Sequence, residues 1–360
     1  MTEQGKKAVI LAHDAFGTLK GKTANGLILY EGRYEIVAVI DRGKAGRDAG
    51  EVLGVGKKGI PIVGSFEESL KFGPEAFIIG VAPPGGQLPE EWREIIRDAI
   101  RNGLDIVNGL HQFFNEDPEF SPLAKKYGTQ LYDLRKPPRD LRVAQGEAKN
   151  IKIPIVTFNS TDCATGKHVA LMEFLKEAKK RGHNPGFVAT GQTAMLLNPD
   201  AAGCIDAIPM DFVSGEVEKM ILEVAAKGKD MIFVEGQGAL SQPVWGYASL
   251  AILMGSWPTA VILAHDPFRK RRDGFPQFEM PSPNEDIKLI ETLCPSTKVV
   301  GIVVDGELYQ DIIRKSDEEI KIAMERIREE TGLPSVDVLR FGASELFDCL
   351  LERFKAVKKL

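Results

Sequence analysis

A regular alternation of short apolar runs with helical segments constrains the fold of this chain more than any other feature. Alternation of this kind is typical of β-α-β units, which build a parallel sheet covered by helices on both faces. The clearest helical segment is residues 89–101, where Trp92, Ile96 and Ile100 recur at helical spacing and Gly103 provides the stop. The first predicted strands are residues 8–12, 36–40, 60–63, 76–81, 104–107 and 130–132. This order predicts a Rossmann-like α/β domain.

The same alternation resumes after residues 135–150, which are rich in Pro, Arg, Lys and Gly and have no periodicity. We place a domain boundary there. The later predicted strands are residues 153–158, 186–189, 231–234, 259–264 and 298–304, and the later predicted helices are residues 167–181, 214–227, 285–293, 317–331 and 343–357. At about 150 residues per domain, 360 residues favour two domains. We predict parallel-sheet α/β domains over residues 1–147 and 148–360.

Charge and cysteine content exclude several classes of protein. The 46 Lys and Arg residues are outnumbered by 51 Asp and Glu residues, so the chain lacks the basic field of a nucleic-acid-binding protein. Its four cysteines are widely spaced, which argues against a disulfide framework and favours the reducing cytoplasm. Residues 236–265 are uncharged, but Pro243 and Pro258 interrupt them, so we predict a loop, a buried helix near residues 249–254 and a strand rather than a membrane span. The first apolar run, residues 8–12, is too short for a signal peptide.

The strongest chemical signal is a strand that runs into a loop ending in Gly-Lys and opening a helix, residues 155–167. Loop N–H groups and a helix N-terminus attract phosphates, and a lysine adds a full positive charge. The pattern G-x-x-x-x-G-K-[ST] is matched at Gly166 and Lys167 but not at its ends: Ser160 and Thr161 stand where the first glycine is expected, and His168 replaces the magnesium-binding hydroxyl residue. An ordinary strand-to-helix turn is the alternative. The predicted phosphate-binding residues are Ser160, Thr161, Asp162, Cys163, Ala164, Thr165, Gly166, Lys167 and His168.

Polar residues follow other strands of the second domain, at the sheet edge where open α/β proteins bind ligands. Glu235 ends one strand, and we consider it as a magnesium-water ligand, a general base or a loop-bracing carboxylate. His265 ends another, and an unperturbed pKa near neutrality would suit it to proton transfer. The other candidates for substrate binding are Gln192, Gln237, Arg269 and Arg271. Arginines bind carboxylates and phosphates, although a basic run is equally typical of a solvated loop.

Two acidic residues are predicted to have local structural roles. Asp41 follows the second strand, where a ribose-binding acid would lie, but no G-x-G-x-x-G follows the first strand and Asp41 precedes Gly43 by two residues, as in an ordinary turn. Asp211 precedes Ser214, the expected N-cap of a helix, which suggests a capping or turn role. Asp41 therefore does not support nicotinamide cofactor binding.

Taken together, these motifs resemble those of the D-glutamate N-acyltransferase family. The segments that carry the resemblance are residues 39–43, 80–86, 103–111, 135–138, 161–167, 191–193, 235–238 and 265–267. The resemblance implies an N-terminal Rossmann-like domain and a C-terminal P-loop NTPase-like domain, the latter similar to dethiobiotin synthetase in its Thr-Asp-x-x-x-Gly-Lys loop. It implies transfer of an acetyl group from acetyl-CoA to the amine of an amino acid, D-glutamate first. Analogy with related P-loop proteins suggests a homodimer.

This resemblance leads to a specific hypothesis for catalysis. Lys167 and the loop amides would hold CoA phosphates, His265 would deprotonate the acceptor amine, and Arg269 or Arg271 would bind its carboxylates. Cys163, at a helix N-terminus, could accept the acyl group, but direct transfer is the simpler mechanism. Two alternatives remain: an ATP-dependent ligase that uses magnesium, and a nucleotide-binding protein without catalytic activity.

Overall fold

The computed structural model describes residues 5–81, 83–305 and 315–359. Ala82, which belongs to the Gly80–Gly86 segment singled out above, lies outside the described residues. The chain divides into two compact units after Pro137, with the short segment Met195–Asn198 grouped with the first. Both units are α/β structures built on parallel sheets, as the sequence predicts.

The first unit contains a six-stranded parallel sheet in the order β3-β2-β1-β4-β5-β6. This is the strand order of Rossmann folds. The strands are β1 (Lys6–Leu11), β2 (Tyr34–Ile40), β3 (Ile62–Val63), β4 (Ala76–Ile79), β5 (Asp105–Asn108) and β6 (Leu131–Asp133). The helices are α1 (Lys22–Leu29), α2 (Ala49–Val52), α3 (Phe66–Ser69), α4 (Trp92–Arg101) and α5 (Phe120–Tyr127).

The second unit contains a seven-stranded parallel sheet in the order β15-β14-β11-β7-β10-β8-β9. Its strands are β7 (Ile155–Ser160), β8 (Pro185–Ala189), β9 (Ala201–Ala202), β10 (Met231–Glu235), β11 (Ala260–His265), β14 (Lys298–Val304) and β15 (Ser335–Val336). Its helices are α6 (Lys167–Lys180), α7 (Met210–Ala225), α8 (Gly246–Ser256), α9 (Pro283–Leu293), α10 (Asp317–Thr331), α11 (Val338–Phe341) and α12 (Ser344–Ala356). A separate antiparallel hairpin joins β12 (Arg271–Arg272) to β13 (Phe275–Glu279).

The strand that leads to the phosphate loop lies in the middle of this sheet. β7 pairs with β10 on one side and β11 on the other, and all six of its residues are buried. The rings of Phe158, Phe174 and Phe233 pack edge to face against one another beneath the loop. Burial on both faces explains the apolar residues Ile155, Val156 and Phe158 of β7, but the strand also buries the polar residues Thr157, Asn159 and Ser160. The loop thus follows a strand that is buried along its whole length.

The structure differs from the sequence prediction at the start of α7. This helix begins at Met210 rather than Ser214, so Ser214 lies inside the helix and the prediction of Ser214 as its N-cap is wrong. Pro209 precedes the first turn, and Asp211 lies within that turn, where its charge interacts favourably with the helix dipole. Across the described residues, no helix has both the length and the apolar composition of a membrane span.

Candidate functional site

The loop between β7 and α6 is folded around the side chains of Ser160 and Lys167. Lys167 Nζ donates to Ser160 Oγ at 2.7 Å and to the Asp162 carbonyl at 3.2 Å. Ser160 Oγ also lies 2.6 Å from the Asp162 carbonyl and 2.8 Å from the Gly238 carbonyl. Gly166, with φ +87°, supplies the left-handed turn that starts the helix. Ser160, which directly precedes the first position of the pattern when the pattern is counted back from Lys167, therefore holds the loop together through its hydroxyl group.

Arg269 binds the outside of this loop. Its guanidinium donates to the carbonyls of Cys163 at 2.7 Å and Ala164 at 2.8 Å, and to Asp162 Oδ2 at 3.2 Å. It also pairs with Asp266 at 3.2 Å. The Asp162 side chain is fully buried, and its Oδ2 accepts a second bond from the Asp273 N–H at 2.7 Å. Arg269 thus stabilises the loop conformation, and its hydrogen bonds are directed at the protein.

The neighbouring arginines of the hairpin differ sharply in burial. Arg271 is exposed and pairs with Glu279 at 3.3 Å. Arg272 is only 8% exposed; its Nη2 donates to Ser241 Oγ at 2.8 Å, and its Nη1 is buried without a hydrogen-bond partner among the described residues. Successive residues of a strand point to opposite faces, so one of two adjacent arginines turns inward. The sequence analysis selected Arg271 and missed Arg272, because the hairpin itself was not predicted.

His265 ends β11 directly beside the loop. Its Nδ1 lies 2.8 Å from Thr161 Oγ1, and the ring is only 7% exposed. Burial, with a smaller contribution from the Arg269 charge, lowers the pKa of His265 to about 4. The expectation of a pKa near neutrality is therefore wrong, because the sequence contained no sign that the ring would be desolvated. At pH 7 His265 is a neutral hydrogen-bonding residue and a weak base.

Glu235, at the carboxyl end of β10, contacts the turn that follows β8 and the first turn of α6. Its Oε2 accepts from the N–H groups of Thr190 at 3.0 Å and Gly191 at 2.9 Å, and its Oε1 lies 3.1 Å from His168 Nδ1. Gln237 Nε2 donates to the Thr190 carbonyl at 2.5 Å, and Gln192 is buried in the same turn. These contacts match the loop-bracing alternative for Glu235. No group of three His, Cys, Asp or Glu side chains in the described part of the chain is arranged to hold a metal ion.

The structure also reveals a buried carboxylate that the sequence analysis missed. Asp286 lies in the first turn of α9 and is 1% exposed, and neither of its oxygens has a hydrogen-bond partner within the described ranges. Burial raises its pKa to about 7; the charges of Arg272 and Lys167 oppose this shift, and those of Glu285 and Asp162 add to it. Acidic residues are common in first helical turns, so nothing in the sequence distinguished Asp286 from exposed Glu285.

In the first unit, Asp41 has the local role that its sequence context suggests. Its Oδ1 accepts from the Gly43 N–H at 3.0 Å, and its Oδ2 accepts from the Phe16 N–H at 3.1 Å. Both carboxylate oxygens therefore hold the turns that follow β1 and β2. This arrangement is a turn-stabilising carboxylate.

Comparison with known proteins shows similarity over both units. Residues 142–347 match a family model described as "Domain of unknown function (DUF1611_C) P-loop domain", and residues 42–137 match "Domain of unknown function (DUF1611_N) Rossmann-like domain". A crystal structure of a DUF1611 family protein from Anabaena variabilis is similar, with a TM-score of 0.88 and 34% identity, and the match covers 96% of this chain and 99% of that one.

Two curated relatives carry the name D-glutamate N-acetyltransferase. The protein from Tritonibacter scottomollicae is 31% identical over 290 residues, which is 79% of this chain and 84% of the relative. The protein from a Pseudoalteromonas species is 32% identical over 283 residues, which is 78% of this chain and 82% of the relative. The matched lengths exceed either unit alone, so the similarity extends over more than one domain.

Proposed function

The chain belongs to the DUF1611 family, and we propose that it is an N-acetyltransferase that moves an acetyl group from acetyl-CoA to the amine of D-glutamate. The name that both curated relatives carry supports this activity and this acceptor. The phosphate loop is the observation in the structure that carries the proposal, because CoA presents a pyrophosphate and a 3′-phosphate to such a cradle.

The details of the loop favour a phosphate cradle over a magnesium-dependent ATP site. His168 occupies the position of the hydroxyl residue that binds magnesium in P-loop enzymes, and its Nδ1 faces Glu235. Lys167 Nζ lies at the helix N-terminus, where its charge adds to the helix dipole. In the proposed complex, Lys167 and the loop N–H groups bind CoA phosphates, and Thr161 and His265 form part of the surrounding wall.

The contacts described above change the roles first assigned to three residues. Arg269 stabilises the loop that holds the donor, Glu235 positions His168 and the turn containing Gln192, and neutral His265 orients Thr161. A ring with a pKa of about 4 is too weakly basic to deprotonate an ammonium group efficiently at pH 7. We therefore do not assign His265 as the residue that accepts the proton of the amine.

The experiment is direct. Protein is incubated with acetyl-CoA and D-glutamate, and the N-acetyl product is measured by mass spectrometry, with a panel of other D- and L-amino acids in parallel. We expect the N-acetyl product of D-glutamate, and its absence across the panel would overturn the proposal. Release of ADP that depends on magnesium and a carboxylate substrate would instead identify a ligase, and stabilisation by ATP without turnover would identify a binding protein.

Replacement of the loop lysine tests the donor site. Lys167→Ala is expected to abolish the stabilisation of the protein by CoA in a thermal-shift assay, because it removes the full positive charge that the loop contributes to phosphate binding. Lys179→Ala is the matched control, since Lys179 is exposed near the other end of the same helix. An equal response of both variants to CoA would show that the phosphates bind elsewhere.

The proposal includes three further features that the sequence and the family resemblance suggested. We place the enzyme in D-amino-acid metabolism as a cytoplasmic homodimer; none of the four cysteines forms a disulfide bond, as suits a reducing compartment. Light scattering during size-exclusion chromatography measures the molar mass directly. A mass near 39.5 kDa would overturn the homodimer, and a mass twice as large would support it.

A further inference from the structure

Two buried, oppositely charged groups beside the phosphate loop have no role in the donor site. They are Arg272, in β12, and Asp286, in the first turn of α9. Arg272 Nη1 and both carboxylate oxygens of Asp286 are buried without hydrogen-bond partners in the described segments. Unpaired polar groups in a protein interior are costly, so a buried guanidinium and a buried carboxylate that act on each other electrostatically and both keep unpaired atoms point to a ligand that would pair with them.

Hydrogen bonds place Arg272 next to the loop. The N–H of the adjacent Asp273 donates to Asp162 Oδ2 at 2.7 Å. On the other side, Arg272 Nη2 donates to Ser241 Oγ. Ser241 lies three residues after Gly238, whose carbonyl accepts from Ser160 Oγ. Asp286 lies close enough for the charges of Arg272, Asp162 and Lys167 all to act on it. Arg272 and Asp286 therefore lie within electrostatic range of each other in the second unit; among the residues described, Arg272 keeps one buried atom without a partner and Asp286 keeps two.

We propose that Arg272 and Asp286 form the acceptor subsite, in which Arg272 binds a carboxylate of the amino acid and Asp286 accepts the proton of its ammonium group. This inference rests on the proposed acetyl transfer. It assigns to Arg272 the role first predicted for Arg269 and Arg271, because Arg269 is bound to the loop and Arg271 is exposed. D-Glutamate carries one ammonium group and two carboxylates, so its ammonium group and one of its carboxylates would satisfy both unpaired side chains at once.

The chemistry balances without a further reactant. The Asp286 carboxylate takes one proton from the ammonium group, and the freed nitrogen lone pair attacks the thioester carbonyl carbon of acetyl-CoA. The C–N bond forms and the C–S bond breaks. The second nitrogen proton passes to the departing thiolate, giving CoA as the free thiol, and Asp286 then releases its proton to solvent. The flexible pantetheine arm allows the thioester to fold back towards a subsite beside the phosphates.

The environment of Asp286 suits this role. An ordinary carboxylate is too weak a base to deprotonate an ammonium group efficiently, and catalysis at neutral pH favours a base whose pKa lies near 7. Burial raises the pKa of Asp286 to about 7. The charged groups that act on it are Glu285 and Asp162, which raise this pKa, and Arg272 and Lys167, which lower it. A bound acceptor ammonium group would add a further positive charge and favour the ionised, proton-accepting form.

The test compares Asp286→Asn and Arg272→Met with neighbouring controls. Lys288→Gln removes an exposed charge from the same helix, and Lys288 is not among the charged groups that act on Asp286. Lys270→Met removes an exposed charge two residues before Arg272. Arg272→Lys keeps the positive charge and loses the planar guanidinium group, and it replaces Arg272→Met in the test if that variant does not fold. Acetyl transfer to D-glutamate and binding of D-glutamate by calorimetry are both measured.

We expect Asp286→Asn to lower kcat by about 10²- to 10⁴-fold and to remove an acidic limb near pH 7 from the pH profile of kcat/KM. Arg272→Met should raise KM for D-glutamate at least about tenfold and leave KM for acetyl-CoA unchanged, since it removes a buried charge-assisted pair with a carboxylate of the acceptor. Both controls should stay within about twofold of the parent protein.

The outcomes separate this inference from the proposed function. Acetyl transfer by the parent protein with unchanged kinetics in both variants would overturn the subsite and leave the function standing. D-Glutamate binding that is lost in both variants, without any acetyl transfer, would support the subsite and overturn the function. A parent protein that neither binds nor acetylates D-glutamate would overturn both.

Discussion

Replacement of Arg269 by methionine should destabilise the second unit severely. The substitution keeps much of the aliphatic volume and removes the guanidinium, which bonds to two loop carbonyls, to Asp162 and to Asp266. The most costly consequence concerns Asp162, whose side chain is fully buried and would lose the cation that neutralises it.

The expected magnitude follows from that burial. Removing one partner of a buried ion pair costs about 3–5 kcal/mol, because the remaining charge stays desolvated. For a unit of this size, 1 kcal/mol corresponds to about 2–4 °C in Tm, so Arg269→Met should lower Tm by about 10 °C. Arg271→Met is the matched control for stability: its pair with Glu279 has side chains 52% and 79% exposed and should contribute less than about 0.5 kcal/mol.

Urea unfolding followed by circular dichroism measures both variants and the double variant Asp162→Asn/Arg269→Met. The double variant removes the stranded charge, so it should recover at least about 1 kcal/mol relative to Arg269→Met alone, and the cycle completed with Asp162→Asn alone gives the coupling energy. If Arg269→Met is no less stable than Arg271→Met, the guanidinium does not support the loop and the assignment of Arg269 as a structural residue is wrong.

Two further predictions concern packing and pH. At Gly236, a Cβ would lie 1.9 Å from the Phe158 carbonyl oxygen of the adjacent strand, so Gly236→Ala should cost at least about 1–3 kcal/mol in urea unfolding. At Gly203 the nearest contact of a Cβ is an ordinary 3.4 Å, so equal losses in the two alanine variants would refute the packing argument. Because the pKa of His265 falls from 6.5 to about 4 on folding, the unfolded chain binds a proton first as pH falls, and about 3 kcal/mol of stability should be lost between pH 6.5 and 4. His265→Gln should lose less over this range, and parallel stability curves would show that the ring is not desolvated.

Strands of both sheets could be predicted from the sequence because they are buried on two faces. The predicted run at residues 298–304 coincides with β14, and the predicted run at residues 231–234 differs from β10 by one residue. Continuous apolar composition is required wherever helices cover both sides of a sheet, so the signal in the sequence is strong. Helix α1, Lys22–Leu29, was missed because Asn25 and Gly26 interrupt its pattern and its burial comes from neighbouring elements.

In the candidate site, too, the features set by contiguous residues could be predicted from the sequence, and those set by distant segments could not. The phosphate loop was predicted in place because strand, loop, Gly166 and Lys167 are contiguous in the chain. The difference between Arg271 and Arg272 depends on which face of a two-residue strand meets the rest of the unit. The low pKa of His265 depends on burial by distant segments. Neither property is encoded at short range, so the sequence indicates the segments that meet around the loop but not the burial of the individual side chains within them.

Asp286 links stability and function in a way that tests its role independently of kinetics. Folding raises its pKa from 3.8 to about 7, so the folded protein retains a proton that the unfolded chain has already lost. Stability from this group is complete below pH 3.8 and is lost as pH rises through 7, a difference of about 4 kcal/mol. Asp286→Asn should therefore be more stable than the parent protein in urea at pH 8, although it transfers acetyl groups more slowly. Natural proteins retain destabilising groups where activity requires them, which is why we expect the substitution to increase stability. A buried carboxylate that only supported the fold would show the opposite result, a loss of stability on substitution.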